Sequence, residues 1–201
     1  YGNISVLKQG EIDDPKKVLD KEVLIKVNFF SLNPLDYKLR NGMLKLMTFR
    51  TFPRTTGSDF SGEIVAKGES VNNFEIGEKV FGFLSQLNEG TSSQFIKVNQ
   101  SILSKAPTNI DIGKAAAVPL AALTSYQALV QLAKIKKGNK VLINGASGGT
   151  GIFAIQIAKI FGAKVTSITS HRNINWMLDT FLVDEAIDYT KENFLNNLRK
   201  N

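Results

Sequence analysis

Cysteine is absent from this 201-residue chain, and histidine occurs once, at His171. The two shortages exclude disulfides, iron–sulfur clusters and thiolate zinc sites, and leave no imidazole pair for a metal. No apolar run approaches the ~18–20 residues of a membrane-spanning helix. Carboxylates are missing from one long stretch: no Asp or Glu lies between Asp111 and Asp179. That stretch carries Lys114, Lys134, Lys136, Lys137, Lys140, Lys159, Lys164 and Arg172, a charge of +8. The whole chain has 25 Lys and Arg against 18 Asp and Glu, a net +7, so everything outside the stretch sums to −1. A positive field confined to one segment suits an anionic ligand. The segment is mostly apolar helix and strand rather than basic residues interleaved with aromatics, which favours a small polyanion over nucleic acid. What remains is an ordinary globular mixture, 43% hydrophobic and 21% charged, which excludes disorder and collagen-like repeats.

Two textures divide the chain. Residues 1–110 are β-rich, with short strand-forming runs at Val23–Phe29, Gly57–Val65, Gly77–Phe83 and Gln94–Val98. Glycine punctuation at this spacing predicts a small barrel or sandwich. From Asp111 the chain is Ala-rich and helical to Leu132, with a break at Pro119. Lys140–Asn144 then reads as a buried strand, Gly145–Gly151 as a glycine turn, and Ile152–Phe161 as a helix apolar enough to be buried on several sides. Lys164–Thr169 is a second strand. Ile174, Met177, Leu178, Phe181 and Leu182 recur at helical spacing, Ala186-Ile187 is a brief third strand, and Thr190 can cap a last helix ending near Lys200. Strand–helix alternation of this kind predicts a parallel sheet over residues 111–201.

Ala146-Ser147-Gly148-Gly149-Thr150-Gly151 follows a strand and opens a helix. Such a turn lets backbone amides approach a pyrophosphate while the helix N-terminus supplies partial positive charge. Gly145-Ala146-Ser147-Gly148-Gly149 also fits the G-x-S-x-G nucleophile elbow of hydrolases. That reading needs an acid and then a histidine after Ser147, and no acid lies between Ser147 and His171. At the end of the second strand, where NAD sites place Asp or Glu, the chain reads Ile168-Thr169-Ser170-His171-Arg172. Hydroxyl and guanidinium without a carboxylate suit a 2′-phosphate, so NADP is favoured over NAD.

With these motifs in place, the chain resembles the zinc-independent medium-chain dehydrogenase/reductases of the quinone and alkenal/enone oxidoreductase kind. The resemblance rests on Ser31-Leu32-Asn33-Pro34-Leu35-Asp36-Tyr37-Lys38, Gly57-Ser58-Asp59-Phe60-Ser61-Gly62, Ile76-Gly77-Glu78-Lys79-Val80, Pro119 to Leu129, Gly145 to Gly151 and Ile187-Asp188-Tyr189, in family order and spacing. It implies an α/β chain: a GroES-like β-barrel domain over 1–110, then a partial Rossmann doubly wound parallel sheet over 111–201. It implies hydride transfer from NADPH to a quinone or an α,β-unsaturated carbonyl without zinc, since Ser58-Asp59 stands where the zinc enzymes carry His-Glu.

Residue by residue, the resemblance places Ser147, Gly148, Gly149, Thr150 and Gly151 at the pyrophosphate. It puts Ser170, Arg172 and Tyr189 around the 2′-phosphate, and Thr124 near the nicotinamide. Lys38 would contact both NADP and substrate, with Tyr37 beside it as a second candidate donor and Asn33 lining the same cleft. It further implies a small-molecule partner, a homodimer in the complete form and a cytoplasmic location. Two departures stand out. Phe181-Leu182-Val183-Asp184 replaces the usual Leu-Gly-Ala-Asp turn, and the chain stops after about three Rossmann strands, as a truncated member would. The alternative is a dinucleotide- or RNA-binding protein on this scaffold without turnover, to which the basic segment lends weight.

Overall fold

The computed structural model describes residues 1–15, 17–48, 52–85 and 90–191; the helix expected toward Lys200 lies outside them. The chain divides into two compact units, Tyr1–Leu120 and Ala121–Asn201. This division falls ten residues beyond the change of sequence texture, because the short helix that follows Asp111 packs on the β-rich unit.

In the first unit, β1 (Glu22–Ser31) is followed by α1 (Pro34–Arg40), α2 (Lys45–Thr48), β2 (Asp59–Lys67), β3 (Lys79–Phe83), β4 (Phe95–Asn99), β5 (Leu103–Lys105) and α3 (Ile112–Ala116). The strands form one sheet in the order β4-β1-β2-β3-β5, antiparallel throughout. Val23 and Ile25 alternate inward along β1 and meet Phe60, Ile64, Val80 and Ile96 in the core, the period-2 pattern of a half-buried strand. The sequence pattern did not show α1. It arises from Asn33-Pro34-Leu35-Asp36, where proline takes the first helical position and the Asp36 carboxylate accepts from the Asn33 N–H at 2.6 Å. The Ser61 hydroxyl donates to the Ile112 carbonyl at 2.7 Å and ties α3 to β2.

The expected break at Pro119 is a fresh start: α4 (Pro119–Tyr126) begins on the proline, where a missing N–H costs nothing. It runs on as a π-helical segment over Gln127–Leu132, with the Ala133 N–H donating to the Ala128 carbonyl. Then come β6 (Lys140–Asn144), α5 (Gly149–Ile160), β7 (Lys164–Thr169), α6 (Ile174–Phe181) and β8 (Glu185–Asp188). The three strands are parallel in the order β6-β7-β8. Burial of α5 on several sides is not found. Only the Ala154, Ile155 and Ala158 face is buried, and Ile160 is 80% exposed. The two alanines let this face approach β6 and β7 closely, and one helix face is all that this contact can cover. Met177 is fully buried at the centre of the α6 stripe, whereas Leu182 has left the helix and is exposed. Among the described residues no helix is long and apolar enough to cross a membrane.

Candidate functional site

The glycine turn sits at the C-terminal end of β6. Gly145 adopts φ +71°, a left-handed conformation that L side chains rarely take, and its carbonyl accepts from the Gly148 N–H at 2.9 Å. The Ala146 N–H donates to the Ile168 carbonyl at 3.1 Å, holding the turn against the end of β7. Helix α5 starts at Gly149 and no side chain caps it, so its first N–H groups point ahead of the helix with no intrahelical acceptor. The glycines divide the work. A Cβ on Gly149 would meet nothing within 4 Å, leaving the approach open. A Cβ on Gly151 would lie 2.5 Å from the carbonyl oxygens of both Gly145 and Ala146, so this buried glycine seats the helix against the turn.

Hydroxyls converge beside the turn. Ser147 Oγ accepts from Thr169 Oγ1 at 2.8 Å and from Asn173 Nδ2 at 2.9 Å. Asn173 Nδ2 also reaches Ser170 Oγ at 3.3 Å. Ser170 and Arg172 lie on the turn between β7 and α6, with Arg172 exposed. The Tyr189 N–H donates to the Thr169 carbonyl at 3.1 Å, which extends the parallel pairing and brings exposed Tyr189 next to Ser170. Asp188 accepts from the N–H and hydroxyl of Thr190 at 2.9 and 2.6 Å, and pairs with His171 Nδ1 at 3.1 Å. The Thr190 hydroxyl is the main influence holding the Asp188 carboxyl below its ordinary range; burial pushes it up, and the Thr190 N–H and His171 add to the lowering. Ser147, Gly148–Gly151, Ser170, Arg172 and Tyr189 thus share the C-terminal edge of the sheet, where open α/β sheets bind ligands. Thr124 is exposed on α4; its neighbour Ser125 is buried, and the Ser125 hydroxyl reaches the carbonyls of Ala121 at 2.9 Å and Thr150 at 2.8 Å.

Asn33, Tyr37 and Lys38 belong to the first unit. Tyr37 is exposed and Lys38 is partly buried on α1. Asn33 is committed locally, its amide donating to the Asp59 carboxylate at 2.9 Å and to Ser31 Oγ at 3.2 Å. Asp59 has no exposed surface, and it also accepts from Ser31 Oγ and from the Leu120 N–H, each at 2.9 Å. Burial pushes its carboxyl above the ordinary range; the bonds from Asn33, Ser31 and Leu120 oppose this, and Asp36 adds repulsion. Neighbouring Ser58 is also fully buried. Among the described residues no group of three His, Cys, Asp or Glu could hold a metal.

Three residues of these networks escaped the sequence reading: Asn173, Ser125 and Asp59 as a hub. Only Asp59 left a signal, as an acid in the Gly57–Gly62 motif beside an Asn-Pro turn. The roles of the other two depend on which strand and helix ends meet.

Residues 19–108 match the alcohol dehydrogenase GroES-like domain family. The chain is 35% identical over 193 residues to a chloroplastic quinone-oxidoreductase homolog of Spinacia oleracea, covering 94% of this chain and 58% of that one. It is 32% identical over 200 residues to a chloroplastic NADPH-dependent alkenal/one oxidoreductase of Arabidopsis thaliana, covering 96% and 51%. The solved structure of the quinone oxidoreductase from Coxiella burnetii superposes with a TM-score of 0.89 at 35% identity, over 98% of this chain and 62% of that one. The chain therefore carries a GroES-like domain and a partial Rossmann-type parallel sheet, and over nearly all its length it is similar to quinone oxidoreductases and alkenal/one oxidoreductases. It spans a little over half the length of the curated relatives it matches.

Proposed function

We propose that the whole protein is an NADPH-dependent oxidoreductase that reduces a quinone or an α,β-unsaturated carbonyl without zinc. The observation that carries this reading is the uncapped start of α5, with open space at Gly149 and no carboxylate at Ser170–Arg172. The donor set fits a dinucleotide diphosphate with a 2′-phosphate: helix N–H groups, serine hydroxyls and one exposed guanidinium. In this reading Ser147, Gly148 and the N–H groups of Gly149–Gly151 at the start of α5 surround the pyrophosphate, the Gly148 N–H staying within the turn on the Gly145 carbonyl, and Ser170, Arg172 and Tyr189 surround the 2′-phosphate. Thr124 is assigned to the nicotinamide, and Asn33 to the cofactor's surroundings. When bound, NADPH supplies the hydride. Lys38 Nζ, aided by the Tyr37 hydroxyl, donates a hydrogen bond to the acceptor's carbonyl oxygen as negative charge grows there. Conjugated acceptors spread that charge, so one such donor serves where a simple alcohol dehydrogenase uses zinc. Ser58 and Asp59, both enclosed, occupy the place of the His-Glu pair. We further propose a homodimer, read by sedimentation of the full-length protein. The cytoplasm is the proposed location, read by fractionation; the names of several relatives carry chloroplastic or mitochondrial addresses.

The test is acceptor-dependent NADPH oxidation by the full-length protein, with a quinone and an enone offered separately. We expect turnover that survives chelation, faster with NADPH than with NADH. Arg172→Ala should narrow that preference by roughly 1–2 kcal/mol, the worth of a charge-assisted contact. Lys38→Ala should lower kcat/KM without lowering Tm. Equal use of the two nucleotides by the unmutated protein would remove the 2′-phosphate assignment, and loss of turnover on chelation with recovery on added zinc would remove zinc independence.

A further inference from the structure

We infer that Asn173 is a positioning residue that fixes Ser147 as a hydrogen-bond donor toward phosphate and, through the same amide, holds Ser170 beside it. The inference rests on the cofactor reading above and extends it to a residue that need not touch the ligand. A serine hydroxyl has one proton to donate and two lone pairs to accept with. At Ser147 both lone pairs are taken, one by Thr169 Oγ1–H at 2.8 Å and one by Asn173 Nδ2–H at 2.9 Å. Only the Ser147 proton remains free, so this hydroxyl can serve an acceptor and nothing else. Phosphoryl oxygens are acceptors only.

Asn173 reaches two segments at once. Its amide nitrogen carries two hydrogens, and it lies 2.9 Å from Ser147 Oγ and 3.3 Å from Ser170 Oγ. Those serines belong to the turn after β6 and the turn after β7, the two segments assigned to the pyrophosphate and the 2′-phosphate. Thr169 is buried, so its hydroxyl is held in place from below. One amide therefore contacts one hydroxyl in each phosphate segment.

The test is a double-mutant cycle on the full-length protein, with NADPH and NADH affinities measured by calorimetry well below each variant's Tm. Asn173→Ala should weaken NADPH binding about tenfold. In a Ser147→Ala background the same change should cost less than about threefold, because Asn173 acts through Ser147. Asn173→Asp keeps the side-chain shape and replaces the donor with an acceptor. It should bind NADPH more weakly than Asn173→Ala while melting within a few degrees of the unmutated protein. Tight NADPH binding by Asn173→Ala, or the same loss with and without Ser147, overturns the role of Asn173 while leaving the cofactor reading intact. Failure of the unmutated protein to bind either nucleotide overturns the cofactor reading and this inference together.

Discussion

Leu182 closes α6 with φ +50° and ψ +41°, in the left-handed region, and its side chain is 66% exposed. A non-glycine residue there costs roughly 1–2 kcal/mol, and the exposed side chain recovers little through burial. The resemblance to a Leu-Gly-Ala-Asp turn puts a glycine at this position, and the backbone adopts the geometry that glycine takes most easily. Leu182→Gly should therefore stabilise the protein by about 0.5–1 kcal/mol after the added freedom of the unfolded chain is allowed for. Urea denaturation checks this, and a lower midpoint would contradict it. At this scale the sequence pointed to Ser147, Ser170 and Arg172, which the structure gathers at one edge of the parallel sheet, and to the odd Leu182. It did not make legible the residues that orient them. Asn173 is separated from Ser147 by 26 positions, and an asparagine at the start of a helix reads as nothing more than a candidate cap.

At the scale of elements, Gly149 and Gly151 belong to one motif yet serve different ends, and substitution should separate them. Gly149→Ala puts a methyl group into open space. The fold should keep its Tm, while NADPH binding weakens because the methyl stands in the approach to the α5 terminus. Gly151→Ala forces a methyl against two backbone carbonyls, an overpacking that costs about 1–3 kcal/mol. Here Tm should fall first, with binding falling as a consequence. Thermal melts beside nucleotide titrations distinguish the two, and equal effects on Tm would refute the division. Most strands were legible from β-forming runs and glycine spacing, as β1 illustrates, but β6, expected to be buried, has only Ile143 buried and Leu142 52% exposed, because its neighbours cover one face of it. Two features were less so. Helix α1 is seven residues long and held by a local Asp36 contact, too short for periodicity to show. The apolar letters of Ile152–Phe161 suggested burial on several sides, whereas hydropathy alone does not say how many faces a helix will have covered.

For the whole molecule, the carboxylate-free stretch between Asp111 and Asp179 places most of its charge in the unit that holds the glycine turn. Lys159 is in part neutralised by Asp184 at 3.1 Å, and Arg172 is exposed. Salt shortens the Debye length from about 10 Å at 0.1 M to about 3 Å at 1 M. The Kd for NADPH should accordingly rise severalfold over that range, and rise more steeply than the Kd for NADH, which lacks the additional phosphate. Parallel salt dependences for the two nucleotides would argue against a 2′-phosphate contact.

The enclosed Asp59 carboxylate has a consequence for substitution. It gathers the Ser31 hydroxyl, the Asn33 amide and the Leu120 N–H into one knot at the start of α4, beside a Ser58 with no exposed surface. Any variant that gained a His-Glu pair here would have to fit an imidazole at 58 and an extra methylene at 59. Each first step overpacks a filled site or loosens the knot, at a cost of about 1–3 kcal/mol before any metal could be held. The knot therefore acts as a barrier: single changes toward a His-Glu pair pass through less stable proteins.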